Sequence, residues 1–576
     1  MTESSQTSDE AAHLLAGYTY LTTADFRMNR EEPPLIKELA ALPLLFLSLE
    51  RPVGDPVQGM GAFRLGPVFV HKNRVSNDTI LLLGRLPILG LSLLLGWAIF
   101  HWGRRLVGAR GALLSLALYV LDPNVVAHSC LVTTDLGVTF FIFLTVYVLW
   151  CWTVHPSPPS LVAAGLSLGA AFASKSTAFW IVPVLVILGG ALLLSGAPIP
   201  TRPWSTRPRA ESCGETRRGR FGALILAAAI LASVAFLVVV CVYGVRGLPE
   251  YFAGIRRGIT HSASGHSAYL LGEVSDSGWW YYFLFAFLVK TPPGTLLILA
   301  LAVALTLRGL RLPPRNEIVL WVPVLVVIAI TCLWKVNIGL RHLLPIYPFL
   351  FLAAGRVMGG PQRPGAGRLG HGALLQRGIV MVCLAWNAAE AAMIVPHHLA
   401  YFNEFVGGPR NGHLYLLNSN LDWGQSSKVL RRYIEAEKVS AVYCAFTGSS
   451  DPGYLGVRYQ YVPGIGNFEG AARQTFLVPE SSRRELLAVS AMALHFVRLG
   501  PGTLYNWLRE RPVIAMPGYS YLVYDITGDA GAHARLAQLY FESHLRLLAA
   551  AEARRALGLD PGNVLARAIM KRLADP

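Results

Sequence analysis

Charge is scarce in this sequence. Only 15% of its 576 residues are Asp, Glu, Lys or Arg, against 53% that are hydrophobic. A soluble chain of this length would divide into several domains and carry more charge. Cysteine is sparse too: 7 residues, at 130, 151, 213, 241, 332, 383 and 444, with no CxxC pair and Cys444 alone beyond residue 396. That spacing argues against both a disulfide scaffold and a zinc ribbon. The opening Met1-Thr2-Glu3-Ser4-Ser5-Gln6 has neither the basic nor the apolar region of a signal peptide. The apolar stretches lack the alternation of barrel strands, which leaves helices as the spanning structure.

What is present is a series of long apolar runs. Ten spans of roughly twenty residues are expected near 79–101, 110–127, 135–153, 160–174, 178–196, 221–245, 292–309, 317–334, 342–357 and 378–395. The runs at 110–127, 160–174 and 342–357 are short for a span. Basic residues cluster between spans: His101 to Arg110, then 197–220 with Arg202, Arg207, Arg209, Arg217, Arg218 and Arg220, then Arg308 to Arg315, and Arg356 to Arg377. Such loops face the cytoplasm. The net charge of +16 therefore reads as topology, and no nucleic-acid partner is expected. Alternation puts residues 1–78, 122–134, 246–290, 335–341 and everything after about 396 outside.

The expected fold class is mainly α: a polytopic transmembrane helical bundle with a C-terminal α/β extracytoplasmic domain ending in a tetratricopeptide-like helical tail. Residues 1–78 form a first outer loop with an interfacial helix at 35–50. Residues 79–395 form the bundle, with a large outer loop at 246–290 that carries the interface-anchoring aromatics Trp279-Trp280-Tyr281-Tyr282. Residues 396–530 hold strand-like stretches at Ala441 to Phe446, Arg484 to Ser490 and Tyr519 to Ile526, with a helix at Lys428 to Glu437. Residues 531–576 are an Ala/Leu/Arg-rich tail whose Ala551 to Asn563 stretch resembles the second helix and turn of a tetratricopeptide unit. One such helix pair cannot bury its own face, so it must pack on the domain or on a partner.

Several charged residues gather on the predicted outer side, where charge beside a membrane is costly and points to function. Each has two readings. Asp9-Glu10 is a solvated helix start or a catalytic acid pair. Glu31-Glu32-Pro33-Pro34 is a helix N-terminus or a site segment. Asp135 caps a helix with Thr134 or faces a pocket. Lys175 snorkels to headgroups or binds phosphate. Arg341-His342 anchors an outer face or holds an anion. Glu10 and His13, at i and i+3, have metal-ligand spacing; His261 and His266 are loop histidines or ligands, and His397-His398 is interfacial. Together, carboxylates and cations on one face suit transfer from a phosphate-linked donor: a carboxylate accepts the acceptor's proton, and a Lys or Arg neutralises the departing phosphate.

In this order the segments resemble the GT-C membrane glycosyltransferases, in the bacterial branch akin to protein O-mannosyltransferases and lipid A aminoarabinose transferases. Asp9-Glu10-Ala11-Ala12-His13 with Gly17-Tyr18 resembles the first-outer-loop acidic motif. Asp25 to Lys37 is similar to the Glu-His-Pro-Pro-Leu segment, with Glu32 where the family has histidine. Asn124 to Asp135, Ser174-Lys175-Ser176, Gly265-His266 to Gly272, Trp279 to Tyr282, Lys290-Thr291-Pro292, and Asn337 to Pro345 resemble later loops. Tyr401-Phe402-Asn403-Glu404 and Ser419 to Gln425 resemble the entry to the C-terminal domain. In the family a helix precedes the acidic motif, so a span is expected to be missing ahead of Met1.

The resemblance implies a polyprenyl-phosphate sugar donor, a site in the inner (plasma) membrane, and an acceptor that is a protein, a lipid or an envelope glycan. It implies Asp9 as general base with Glu10 beside it, Asp135 as an orienting carboxylate, and Lys175, Arg341 and His342 on the donor phosphate. His13, Glu31, Glu32 and His266 are candidate ligands of a divalent metal; no other cofactor is expected. Breaking a sugar–phosphate bond needs no nucleotide, and no phosphate-cradling glycine loop is found. Two rival functions remain: a lipid-linked-sugar transporter or flippase, which would show inverted repeats and mid-span charges, and a non-catalytic membrane scaffold.

Overall fold

The computed structural model describes residues 1–54, 61–194, 217–309, 311–359, 371–439, 442–464, 484–496, 498–499 and 502–574. Three helices come before the first long span: α1 (Ser8–Thr23), α2 (Leu35–Ala41, continued by a 3-10 turn at Leu42–Phe46) and α3 (Gly61–His71). Gly17 lets α1 and α2 touch, because a Cβ there would lie 2.0 Å from the Lys37 carbonyl oxygen. The expected helix at 35–50 is present but ends at Phe46, and α3 was not legible in advance. Leu42, Leu45 and Phe46 remain exposed, Phe46 at 92%.

The bundle follows: α4 (Asn77–Leu106), α5 (Gly108–Leu121), α6 (Pro123–Ser129), α7 (Thr134–Val154), α8 (Pro158–Phe172), α9 (Ile181–Leu194), α10 (Arg217–Ser264), α11 (Tyr282–Lys290), α12 (Pro293–Leu307), α13 (Pro314–Leu333), α14 (Tyr347–Gly355) and α15 (His371–Met393). Among the described residues, six helices are long and apolar enough to cross a bilayer. Two bent pairs bring that to eight, and two shorter apolar helices, Pro158–Phe172 and Leu340–Gly355, complete the ten expected runs.

Local chemistry sets the ends. The α4 N-cap is Ser76, whose side chain accepts from the Thr79 amide, with Asp78 in the first turn and Arg104 and Arg105 in the last, as the helix dipole favours. The 110–127 run is not one straight helix. Asp122 caps a new helix whose first residue is Pro123, and the pair bends by 67°. The pair α11–α12 bends by 113° at Thr291-Pro292. The 246–290 loop is also largely helical: α10 runs on to Ser264 past a break at Gly244 (φ 65°), and α11 begins at Tyr282. Between them sits a hairpin of β1 (Ala268–Leu270) and β2 (Glu273–Ser275).

The two ends of the bundle differ in chemistry. At one end Arg356 pairs with both Glu317 oxygens at 2.8 and 2.9 Å, and Trp150 Nε1 donates to Asn316 Oδ1 at 2.9 Å. Arg104 and Arg105 close α4 at the end remote from Asp78. Much of the basic loop at 197–220, and part of Arg356 to Arg377, lies outside the described residues. The N-terminus of α7, the Lys175 turn after α8 and the turn before α14 meet at the opposite end.

The C-terminal part is a small α/β unit. Helix α16 (Gly412–Tyr415) and α17 (Ser427–Ala436) lead into β3 (Val442–Ala445), β4 (Tyr459–Tyr461) and β5 (Leu486–Ser490). Then come α18 (Ala491–Phe496), the short hairpin β6 (Arg498–Leu499) and β7 (Gly502–Thr503), and β8 (Tyr521–Asp525). The sheet order is β4-β3-β5-β8, parallel except for β8. Leu430 and Ile434 of α17 pack with Val442, Cys444, Leu486 and Val523. The tail is three helices, α19 (Ala530–Glu542), α20 (Arg546–Leu559) and α21 (Val564–Ala574). Buried His533 docks it on the sheet, with one ring nitrogen 3.0 Å from Glu485 and the other 2.7 Å from Glu552.

Candidate active site

Four residues remote in sequence meet at one end of the bundle. Lys175 Nζ lies 2.6 Å from Asp135 Oδ1, and Arg341 Nη1 lies 3.5 Å from Asp135 Oδ2 and 3.2 Å from Asp9 Oδ2. Their side chains are 4% (Lys175), 2% (Asp135), 10% (Arg341) and 20% (Asp9) exposed, so Asp9 is the group that reaches open space.

Each arrives by a separate device. Asp9 is the second residue of α1, and Asp135 lies in the first turn of α7. Lys175 takes an extended conformation (φ −155°, ψ 143°) between α8 and the 3-10 turn Ser176–Trp180. The Ala173 carbonyl just before it accepts from the Leu35 amide and so docks α2 there. Arg341 follows Leu340, whose amide donates to Asn420 Oδ1 at 2.9 Å, while Ser419 Oγ donates to the Ile338 carbonyl at 2.7 Å. The C-terminal unit thus pins the Arg341 turn. Asp135 pairs with Lys175 rather than capping α7, and Lys175 points at Asp135 rather than at headgroups.

The neighbours refine the site. Glu32 Oε2 accepts from Thr134 Oγ1 at 3.5 Å. Burial, with Asp135 nearby, pushes its carboxyl above the usual range despite Lys175. Lys37 Nζ holds the Glu32 carbonyl at 2.5 Å and the Asn29 carbonyl at 2.9 Å. Burial pulls the Lys37 amine down to about 7, against Glu32 and Glu38. His342 is buried, packs edge-on against Trp334 with ring centroids 4.6 Å apart, and among the described residues has no hydrogen-bond partner on either nitrogen. Arg341 Nε is likewise buried without a partner among the described residues.

Other expected site residues stand elsewhere. Glu10 faces away from Asp9 and makes a doubly hydrogen-bonded ion pair with buried Arg85, at 2.8 and 2.7 Å. Its Oε1 also accepts from the Val132 amide at 3.0 Å, and His13 Nδ1 donates to the Val132 carbonyl at 2.9 Å. Glu10 and His13 therefore hold both backbone groups of one residue, Val132, just ahead of Asp135. Glu31 is exposed, and His266 Nδ1 bonds the Ser267 carbonyl at 2.9 Å. The expected metal ligands His13, Glu31, Glu32 and His266 are not brought together: among the described residues, no three His, Cys, Asp or Glu side chains form a group that could hold a metal.

The sequence alone gave no role to Arg85 or Trp423. A lone arginine in the apolar run 79–101 was the signal for Arg85, since a charge inside a span needs a partner. Trp423 lay inside a noted segment but had no assigned role; its ring stacks on the Arg341 guanidinium, 4.2 Å from centroid to Cζ.

A polytopic membrane bundle with an ionic pocket at one end is the class that fold and site define. Residues 80–205 match the family model described as dolichyl-phosphate-mannose-protein mannosyltransferase, so the glycosyltransferase resemblance holds over that stretch. No curated protein matches the chain. Among solved structures, ArnT from Cupriavidus metallidurans bound to undecaprenyl phosphate is similar at 14% identity and a TM-score of 0.43, covering 91% of this chain and 95% of that one. Its apo state gives 13% identity and a TM-score of 0.44, covering 91% and 93%. The oligosaccharyltransferase AglB from Archaeoglobus fulgidus, in complex with an inhibitory peptide and a dolichol-phosphate, gives 12% and 0.37, covering 67% and 52%.

Proposed function

We propose that this chain is a membrane glycosyltransferase that moves a sugar from a polyprenyl-phosphate donor to an acceptor on the extracytoplasmic side. The observation that carries this reading is the convergence of Asp9, Asp135, Lys175 and Arg341 in one ionic cluster, with Asp9 at its exposed edge. The family match over 80–205 supports it. The basic ends of the spans lie away from the pocket, which supports an outward-facing site and C-terminal unit.

In this reading Asp9, the most open carboxylate, takes the proton from the acceptor hydroxyl or amine. The acceptor atom bonds to the anomeric carbon as the bond from that carbon to the phosphate oxygen breaks. The polyprenyl phosphate leaves with the bonding electrons, and Arg341 and Lys175 neutralise its charge. Asp135 holds Lys175 and Arg341 in place. Glu10 is left out of the catalytic group because Arg85 occupies it.

Membranes carrying the chain, supplied with polyprenyl phosphates bearing labelled sugars, are expected to release free polyprenyl phosphate and label an acceptor. Passage of intact donor across the membrane without cleavage would favour a transporter instead.

A further inference from the structure

Between the ionic pocket and the C-terminal unit lies one side chain that touches both. The indole of Trp423 is 5% exposed and packs with Ala127, Leu131 and Leu399. The Arg341 guanidinium lies on its ring, with Cζ 4.2 Å from the centroid. The carbonyl of the same residue accepts from the Ser8 amide at 2.9 Å and from Ser8 Oγ at 3.3 Å. Ser8 directly precedes Asp9. The Trp423 amide is held in turn by Gln425 Oε1 at 2.8 Å, and neighbouring Asp422 accepts from the Met492 amide at 3.1 Å. The peptide is therefore anchored to the sheet unit while ring and carbonyl reach opposite halves of the Asp9–Arg341 pair.

We propose, resting on the glycosyltransferase reading, that Trp423 is a positioning residue that sets the Asp9–Arg341 pair from both sides. Stacking engages a guanidinium by its face and leaves the in-plane N–H groups free. Arg341 then meets Asp9 and Asp135 through Nη1 with the plane of its guanidinium fixed by the ring, which sets the direction from which the departing phosphate meets the cation. A lysine ammonium has no such plane and would gain little orientation from the ring. The C-terminal unit in this view is part of the transfer machinery, because it supplies the surface on which the catalytic cation rests.

Trp423→Leu removes the ring and keeps the carbonyl bond to Ser8; Trp423→Phe keeps a weaker aromatic face. Both variants, Arg341→Lys, and the double variant Trp423→Leu/Arg341→Lys are compared with the unmodified chain in a labelled-donor transfer assay, with melting temperature in detergent alongside. The expected order of kcat/KM for donor is wild type, then Phe, then Leu, with Leu down at least tenfold when assayed well below its own melting temperature, which the cavity left by the ring lowers. The double variant should be no worse than the weaker single one, since the two groups act as one unit. Should the Leu chain fail to fold, the Phe variant and its cycle with Arg341→Lys carry the test on the same terms. An active wild type with Trp423 variants equal to it, strictly additive effects, or losses that only track melting temperature would overturn the proposal alone. A well-folded wild type inactive with every donor would overturn the glycosyltransferase reading, and this proposal with it.

Discussion

Lys175 Nζ and Asp135 Oδ1 stand 2.6 Å apart with both side chains almost wholly buried. Before any donor arrives, the pocket's two cations are already engaged by Asp9 and Asp135, so an incoming phosphate must share them. Removing Lys175 leaves buried Asp135 with only its longer 3.5 Å contact to Arg341, at a cost of up to about 3–5 kcal/mol. Lys175→Met should therefore lower both transfer and melting temperature. The double variant Lys175→Met/Asp135→Asn should recover much of the stability and none of the transfer. Thermal unfolding and a transfer assay on the three chains check this; a double variant as unstable as the single one would contradict it.

Glu10 and Asp9 are neighbours that should behave differently. Glu10→Gln breaks the pair with Arg85 and weakens the grip on Val132, so it should destabilise by roughly 3–5 kcal/mol. Below its melting point the variant should keep a near-normal donor KM, because Glu10 does not line the pocket. A large rise in KM at an unchanged melting temperature would put Glu10 back in the site.

His13 supplies a pH dependence. Burial pulls its imidazole from 6.5 down to about 4, so it stays neutral in the folded chain at physiological pH. The folded value lies below the unfolded one. Its contribution to stability is thus complete above pH 6.5 and is lost as pH falls from 6.5 towards 4, by about 3 kcal/mol at most. His13→Gln can still donate to the Val132 carbonyl but does not titrate. Melting curves between pH 7 and 4 should be flatter for the variant than for the wild type across that window.

The spans were legible because burial in lipid demands long apolar runs, and that demand is written into composition. Bends were less so. Asp122-Pro123 reads as a helix start only once it is clear that the chain turns there, and α3, 11 residues with Pro67 inside it, was too short and too interrupted to stand out. Side-chain direction was harder still. Successive residues on a helix point about 100° apart, so Glu10 cannot share the face of Asp9, while His13, at i+4 from Asp9, can. The choice between Asp9 and Glu10 depended on where Arg85 lies, a contact across 75 residues. Trp423 carried no periodic or charge signal at all; its role comes from lying under Arg341.

The most direct test of the account is the rate of sugar transfer by the Asp9→Asn chain in reconstituted membranes with a labelled polyprenyl-phosphate donor. Asparagine keeps the shape at the α1 N-terminus and removes the base. The account predicts a fall of about 10²–10⁴-fold with donor binding and melting temperature close to wild type. A variant that transfers sugar as fast as the wild type would contradict it.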